Sequence, residues 1–355
     1  MNKTKTSVVT AALLGVVCVG CDYNPPPEPT LQQPEGGSFA AGDSVIVVFS
    51  EAISKESLAI RIWPAERDGE QNIKPDTQPK VDTCRLADTS CQGLTMELAT
   101  DETSVTLQLD PEGVGKAGSP LILEVLAGLK DKSGKKTGVS RYFDFQFVPV
   151  PEPAVVEVPF EDGVYVVLGE IKQPIPAVLT LISEIVALPD GRIALAGAEG
   201  DETGGAPKNT DDPRFLIVDS TDLGFTVYAT GILYEDSDTR FLKTDPFDIH
   251  ILQGGIVIDL FGVRLNATVV KHPDTGSDRL EGTLSFEKVS VVLGTVVADY
   301  PAGATAFAAN KVPQEFLMDG VPSVCGDLCG AVPDQCAPPA DFPPDGFCDD
   351  ADASQ

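Results

Sequence analysis

The chain has 355 residues, 54 of them acidic against 25 basic, for a formal net charge of −29. That length exceeds what a single core usually fills, so two or three domains are expected, and a hydrophobic content of 42% fits folded domains rather than a disordered chain. So negative a balance argues against nucleic acid as a partner, because phosphate needs clustered Lys and Arg, and it leaves solvent, basic surfaces or divalent cations as complements.

At the N-terminus, Lys3 and Lys5 precede an apolar run over residues 8–19, and Gly20 supplies the small residue that signal cleavage needs. The run is too short to span a bilayer, which takes about 20 residues. The segment Cys18-Val19-Gly20-Cys21 resembles a bacterial lipobox, departing from it in having Cys18 where Leu is usual. The resemblance implies cleavage after residue 20 and lipidation of Cys21, with the membrane as the first partner and the cell envelope as the compartment. It leaves open whether this is the outer membrane, the cell surface or the periplasmic face. Several acyl chains would make such an anchor effectively permanent. Residues 21–37 are rich in Pro, Glu and Gly and read as an extended tether.

Residues 38–150 carry short strand-like runs at 45–49, 58–63, 94–98, 105–109, 121–125 and 142–148, between turn signals. Alternation is plain in Val105-Thr-Leu-Gln-Leu109 and Tyr142-Phe-Asp-Phe-Gln-Phe147, so the expectation is a β-sandwich. Trp63, at the end of an apolar run, reads as a core residue. Cys84 and Cys91 lie in an apparent insertion over 65–92, and in an exported chain they are expected to close that loop as a disulfide.

The stretch from Pro34 through Val45-Ile-Val-Val-Phe-Ser-Glu51, followed by the closing aromatic strand 142–147, resembles the bacterial Ig-like domains of surface-layer and other envelope proteins. The resemblance covers about a third of the chain. It implies a spacer or adhesion module and brings no catalytic residues with it.

Residues 154–318 read as a second antiparallel domain, with runs at 164–168, 179–188, 192–196, 214–218, 225–233, 247–252, 256–260, 263–270 and 280–293. Pro189-Asp-Gly191, Gly254-Gly255 and Pro273 to Ser277 supply turns short enough to demand a meander. The apolar phase set by Leu280, Gly282, Leu284 and Phe286 shifts to Val289, Val291 and Leu293, which predicts a bulge or bend near Glu287-Lys288. Sandwich and curled barrel both stay open, and a barrel could enclose a lipid or small apolar ligand. Acidic loops at 199–212 and 235–238 read as solvated, since neither has the ligand spacing of a calcium loop.

Residues 319–355 hold Cys325, Cys329, Cys336 and Cys348 among Gly, Pro and Asp. Four cysteines allow three pairings, and the spacing lacks the paired Cys-x-x-Cys of zinc sites, so disulfides are expected without a choice among them. Asp341, Asp345, Asp349, Asp350 and Asp352 are weak calcium candidates, and no other cofactor is indicated.

The chain has two histidines, His250 and His272. His250 sits opposite Phe247, Ile249 and Ile251 and is expected in solvent, His272 in a turn, and neither belongs to a nucleophile or metalloprotease motif. The expectation is an all-β, non-enzymatic surface binding or scaffold module of the envelope, with protein or glycan as its partner. A carrier of an apolar ligand and a carboxylate-dependent glycan hydrolase are the alternatives.

Overall fold

In this computed structural model, residues 25–34, 37–66, 73–74, 76–88, 91–150, 158–171, 177–202, 216–218, 224–253, 255–313 and 320–348 are described. The expected signal segment and Cys21 lie outside them. The fold is all-β, as its alternating sequence requires.

The first domain contains β1 (Pro29–Gln32), β2 (Phe39–Ala40), β3 (Ser44–Phe49), β4 (Ala59–Pro64), β5 (Val81–Arg85), β6 (Leu94–Leu98), β7 (Ser104–Leu109), β8 (Leu121–Val125), β9 (Arg141–Phe145) and β10 (Phe147–Val148). Two antiparallel sheets, ordered β1-β3-β7-β6 and β5-β4-β8-β9, face one another, and β10 runs parallel to β2 at the side. Alternation selects the core: Val45, Val47 and Phe49 on β3 point inward, opposite Ile60 and Ile62 on β4 and Leu123 on β8. Phe39, Phe145 and Phe147 close one end, with ring centroids 5.7–6.0 Å apart.

Two features differ from expectation here. Pro29–Gln32, read as tether, is an edge strand paired with β3, and Pro27, Pro29 and Leu31 alternate into the core. Proline is tolerated at the first residue of an edge strand because no ladder partner needs its missing N–H. Val81–Arg85, read as part of a surface loop, pairs with β4, and Cys84 is buried in the core while disulfide-bonded to Cys91.

The second domain contains β11 (Gly163–Ile171), β12 (Ala177–Ala187), β13 (Arg192–Glu202), β14 (Leu216–Val218), β15 (Thr226–Asp236), β16 (Thr239–Thr244), β17 (Phe247–Gln253), β18 (Ile256–Lys271), β19 (Asp278–Phe286), β20 (Lys288–Leu293), β21 (Val296–Tyr300) and β22 (Gly303–Lys311). Strands β11, β12, β13, β15, β16, β18, β19 and β22 pair antiparallel in chain order, and β22 returns to β11. The result is a closed eight-stranded up-and-down barrel. The predicted meander is therefore observed, and the choice between sandwich and barrel falls to the barrel.

Gly282 permits its tight curvature. It faces inward on β19, and a Cβ there would overlap the backbone carbonyl of Asn266 on β18. The acidic loop at 235–238 proves to be a two-residue turn, with Asp236 paired to Thr239 and both Ser237 and Asp238 at positive φ, 49° and 64°.

The expected bend is present at Glu287. Beyond it β20 leaves the barrel and, with β21, β17 and the first half of β18, builds a small flap. Long β18 crosses the same corner at Gly262, whose φ is +61° and whose missing Cβ leaves room for the Glu287 side chain.

The barrel's interior is apolar and packed. Val167, Leu181, Leu195, Leu233, Leu265 and Phe307 are among the buried residues of one cluster, which continues without a break into Ile249, Ile251, Ile258 and Val291 on the inner face of the flap. At the opposite end, the segment leading into β11 is a plug. Val158 and Phe160 join the cluster, Phe160 stacks on Tyr165 at 5.6 Å, and the Tyr165 hydroxyl donates to the Glu161 carbonyl at 2.6 Å. An ion network locks the plug. The Asp278 carboxylate, fully buried, accepts from Arg240 at 2.9 Å, Lys271 at 3.0 Å and the Glu161 N–H at 2.9 Å.

Two bodies cover the barrel's outside. The first domain lies on β18, β19 and β22 through polar contacts. The Gln146 amide donates to Thr268 (3.4 Å) and accepts from Thr283 (3.3 Å), and Asp144 accepts the Ala306 N–H (3.0 Å). The C-terminal segment lies on β11–β15. On β13, Ile193 and Leu195 point in, leaving Ala194, Ala196 and Ala198 as a flat outer face on which Val324, Val332 and Phe347 pack. Glu184 accepts from the Ser323 hydroxyl and the Val324 N–H, and Tyr228 donates to the Leu328 carbonyl. Nested disulfides Cys325–Cys348 and Cys329–Cys336 hold the segment in shape. The C-terminal segment is thus docked on the barrel, because small outward residues on β13 create an apolar seat for it.

Two outcomes follow. Burial works against the Asp278 charge, but its hydrogen bonds to Arg240, Lys271 and the Glu161 N–H outweigh it and hold the carboxyl below its ordinary value of 3.8. The stability this contributes is complete above that value and is lost as pH falls through the lower, folded one. Asp278→Asn should therefore cost about 3 kcal/mol near neutrality, for breaking a buried pair, and progressively less as pH falls below 3.8, as read by denaturant unfolding across that range. Replacing Cys325 and Cys348 with Ser should cost about 3 kcal/mol and open residues 320–348 to limited proteolysis before the barrel unfolds.

Candidate functional site

A concavity lined by three cations and one carboxylate lies on the outer face of the sheet β5-β4-β8-β9. Alternation builds that face. Since Ile60 and Ile62 take the core positions of β4, Arg61 and Trp63 point outward, as do Glu124 on β8, Tyr142 on β9, and Thr83 and Arg85 on β5. Trp63, expected in the core, is therefore a half-exposed residue of the opposite face, and the flanking isoleucines carry the signal that could have placed it.

Arg61, Glu124 and Tyr142 stand directly across from one another on three neighbouring strands. Glu124 is buried and accepts hydrogen bonds from Trp63 Nε1 at 2.9 Å and the Tyr142 hydroxyl at 3.2 Å, with Arg61 Nη1 at 3.8 Å. Burial, and then the Glu124 charge, push the Tyr142 phenol above its usual value, so Tyr142 stays a neutral donor. The Arg61 guanidinium lies over the Trp63 ring at 5.9 Å and donates Nε to Thr83 Oγ1 at 2.8 Å.

Beside this platform is a cavity of about 360 Å³, floored by Ala59, Arg61, Thr83 and Arg85. One wall is the 3-10 turn Lys55–Ser57, the other the loop from Leu126 to Lys130. The walls are tied together, since Ser57 Oγ accepts the Lys130 N–H at 2.9 Å and the Ser54 N–H donates to the Lys130 carbonyl at 2.8 Å. Three cations and one carboxylate, Glu56, line the cavity. The backbone N–H of Glu56 and the Ser54 hydroxyl hold its carboxyl below the ordinary value, so it is ionised. A second cavity, about 240 Å³, opens between the domains, where Arg264 and Glu287 balance one another at 2.8 Å.

The residues singled out in the sequence lie elsewhere. All six expected disulfide cysteines are paired, as Cys84–Cys91, Cys325–Cys348 and Cys329–Cys336. Asp341 and Asp345 are exposed, the Asp345 carbonyl accepting from Arg192 at 3.2 Å, while Asp349, Asp350 and Asp352 fall outside the described residues. Among the described residues, no three of His, Cys, Asp and Glu gather as a metal-holding group. Of the acidic loop at 199–212, residues 203–212 are also outside the description. His250 is exposed, as expected, with Nδ1 2.5 Å from Asp259, and His272 sits in its turn, Nδ1 accepting from the N–H groups of Asp274 and Thr275.

Comparison with protein families, with curated proteins and with solved structures finds no match to this chain.

If Glu124 organises the platform, Glu124→Leu should cost about 2 kcal/mol by leaving the Trp63 and Tyr142 donors without their acceptor, and Glu124→Gln, which keeps an acceptor, less than half of that. Chemical denaturation of both variants reads the difference.

Proposed function

We propose that this chain is a lipid-anchored envelope protein acting as a non-enzymatic surface binding or scaffold module. The observation that carries this reading is the filled barrel. Its described interior is packed with aliphatic side chains, one mouth lies under the flap and the other is stoppered by Val158 and Phe160, so recognition falls to outer surfaces. A carrier would need enclosed volume for its cargo, and the carrier alternative loses support accordingly.

Further support comes from the first domain and from the thiols. Lettered in chain order, its strands run A-B-E-D in one sheet and C′-C-F-G in the other, with the last strand parallel to a short A′ strand. That order is the immunoglobulin one and supports the likeness to bacterial Ig-like domains, hence a spacer or adhesion role. Three disulfides fit an oxidising compartment outside the cytoplasm, in keeping with cleavage before Cys21 and lipidation there.

The test is mass spectrometry of the native protein in two parts. Intact mass should show loss of residues 1–20 and an acylated Cys21, and an organic extract of the folded protein should release no stoichiometric apolar ligand beyond the anchor. An unmodified N-terminus would sink the anchor, and a one-to-one lipid in the extract would restore the carrier.

A further inference from the structure

We propose that the cavity floored by Arg61 and Arg85 binds an oxyanion, a carboxylate or phosphoryl group, on a ligand about the size of a monosaccharide. The inference deepens the reading of this chain as a surface binding module and rests on it.

Charge is the first argument. The chain carries 54 acidic and 25 basic residues, yet this cavity is lined by Arg61, Arg85 and Lys130 against Glu56 alone, and of the three cations only Arg61 has carboxylate partners, Asp82 at 3.6 Å and Glu124 at 3.8 Å. Elsewhere the cations are largely engaged: Arg240 and Lys271 on Asp278, Arg264 on Glu287, Lys288 on Asp299, Arg141 on Glu28 and Lys132 on Glu102. Among the described residues, neither the Arg85 guanidinium nor the Lys130 ammonium meets a carboxylate. Two unpaired cations side by side in an acidic protein favour an anion between them.

Preorganisation is the second. Arg61 is held in place by Trp63, Thr83, Asp82 and the buried Glu124, so the guanidinium that lines the cavity is fixed in position before a ligand arrives. Lys130 is fixed at its backbone by Ser57 and Ser54. The volume, about 360 Å³, falls at the small end of ligand sites, which suits a single acidic sugar or a phosphorylated fragment and excludes a folded partner from its depth.

The single tryptophan of the chain, Trp63, lies under Arg61 and makes the site observable. The full chain, extracted in neutral detergent, would be titrated at low ionic strength with glucuronate, inorganic phosphate and glucose, following tryptophan emission and heat. The expected result is a saturable response to glucuronate or phosphate and none to glucose. Arg85→Ala with Lys130→Ala should weaken it by about a hundredfold, each lost charge-assisted bond being worth about tenfold. Lys288→Ala, on the barrel flap, should leave it unchanged. Both substituted cavity residues are exposed, so an unchanged melting temperature checks the fold, and Lys130→Gln alone should give an intermediate loss.

A response to glucuronate alone identifies a carboxylated sugar, and one to phosphate alone a phosphoryl group. No saturable response, equal binding of glucose, or wild-type affinity in the double variant would overturn the proposal. The two failures are separable. A lipid recovered from the barrel refutes the surface-module reading whatever this titration shows, whereas an empty barrel with a silent titration refutes only the cavity's assignment.

Discussion

The pairing of β16 with the far half of β18, Arg240 through Lys243 against Asn266 through Val269, turns a curved sheet into a cylinder. Once the sheet meets itself, it has no free edge to aggregate through, and every inward position must be filled while every outward one is either solvated or covered. An eight-stranded cylinder is just wide enough for side chains to fill, and the inward Leu, Val, Ile and Phe residues fill it. The plug, the flap and both outer coverings answer that one constraint: apolar ends cannot be left to water, and the small or hydroxyl-bearing outer faces invite something to lie on them.

The two coverings are chemically different, and the difference is written in β13 and in the strands opposite it. On β13 the outward residues are alanines, and what docks there is apolar and braced by disulfides. On β18 and β19 the outward residues include Thr268 and Thr283, buried and met by Gln146 of the first domain, and on β22 the Ala306 N–H is met by Asp144. A buried hydroxyl that finds its partner contributes little net energy, but one that loses it is costly, so this interface fixes orientation more than it adds stability.

Strong alternation was readable. Val45, Val47 and Phe49, or Leu280, Leu284 and Phe286, identify their inner faces without any structure, and the phase slip at Glu287 located the corner where β20 leaves the barrel. What escaped was regular structure in unexpected residues. Pro29–Gln32 was hidden by the prolines in and before it, Thr239–Thr244 by its charge, and Gly303–Lys311 by its alanines, of which Ala304, Ala306 and Ala308 form its outer face. The cavity beside Trp63 could not be read as a motif at all. Its residues come from 54–57, 59–61, 83–85 and 126–130, and only the pairing of β4 with β5 and β8 brings them together. Closure of the barrel was undecidable for a similar reason, since one strand of the closing pair, β16, carries no apolar run legible in the sequence.

The entry of the chain into the first domain has a mechanical side. Glu28, beside Arg141, stands at one end of β1, while Gln33 and Gly37, beyond its other end, reach the barrel at Ser285. Strand β1 therefore lies between the first described residues and the point where the chain reaches the barrel. A pull directed along the axis of β1 slides it lengthwise past β3, loading its paired residues together, rather than peeling them apart one rung at a time. An edge strand that would be the weakest element under slow thermal fraying is thus mounted in the direction in which a hydrogen-bonded ladder resists force best.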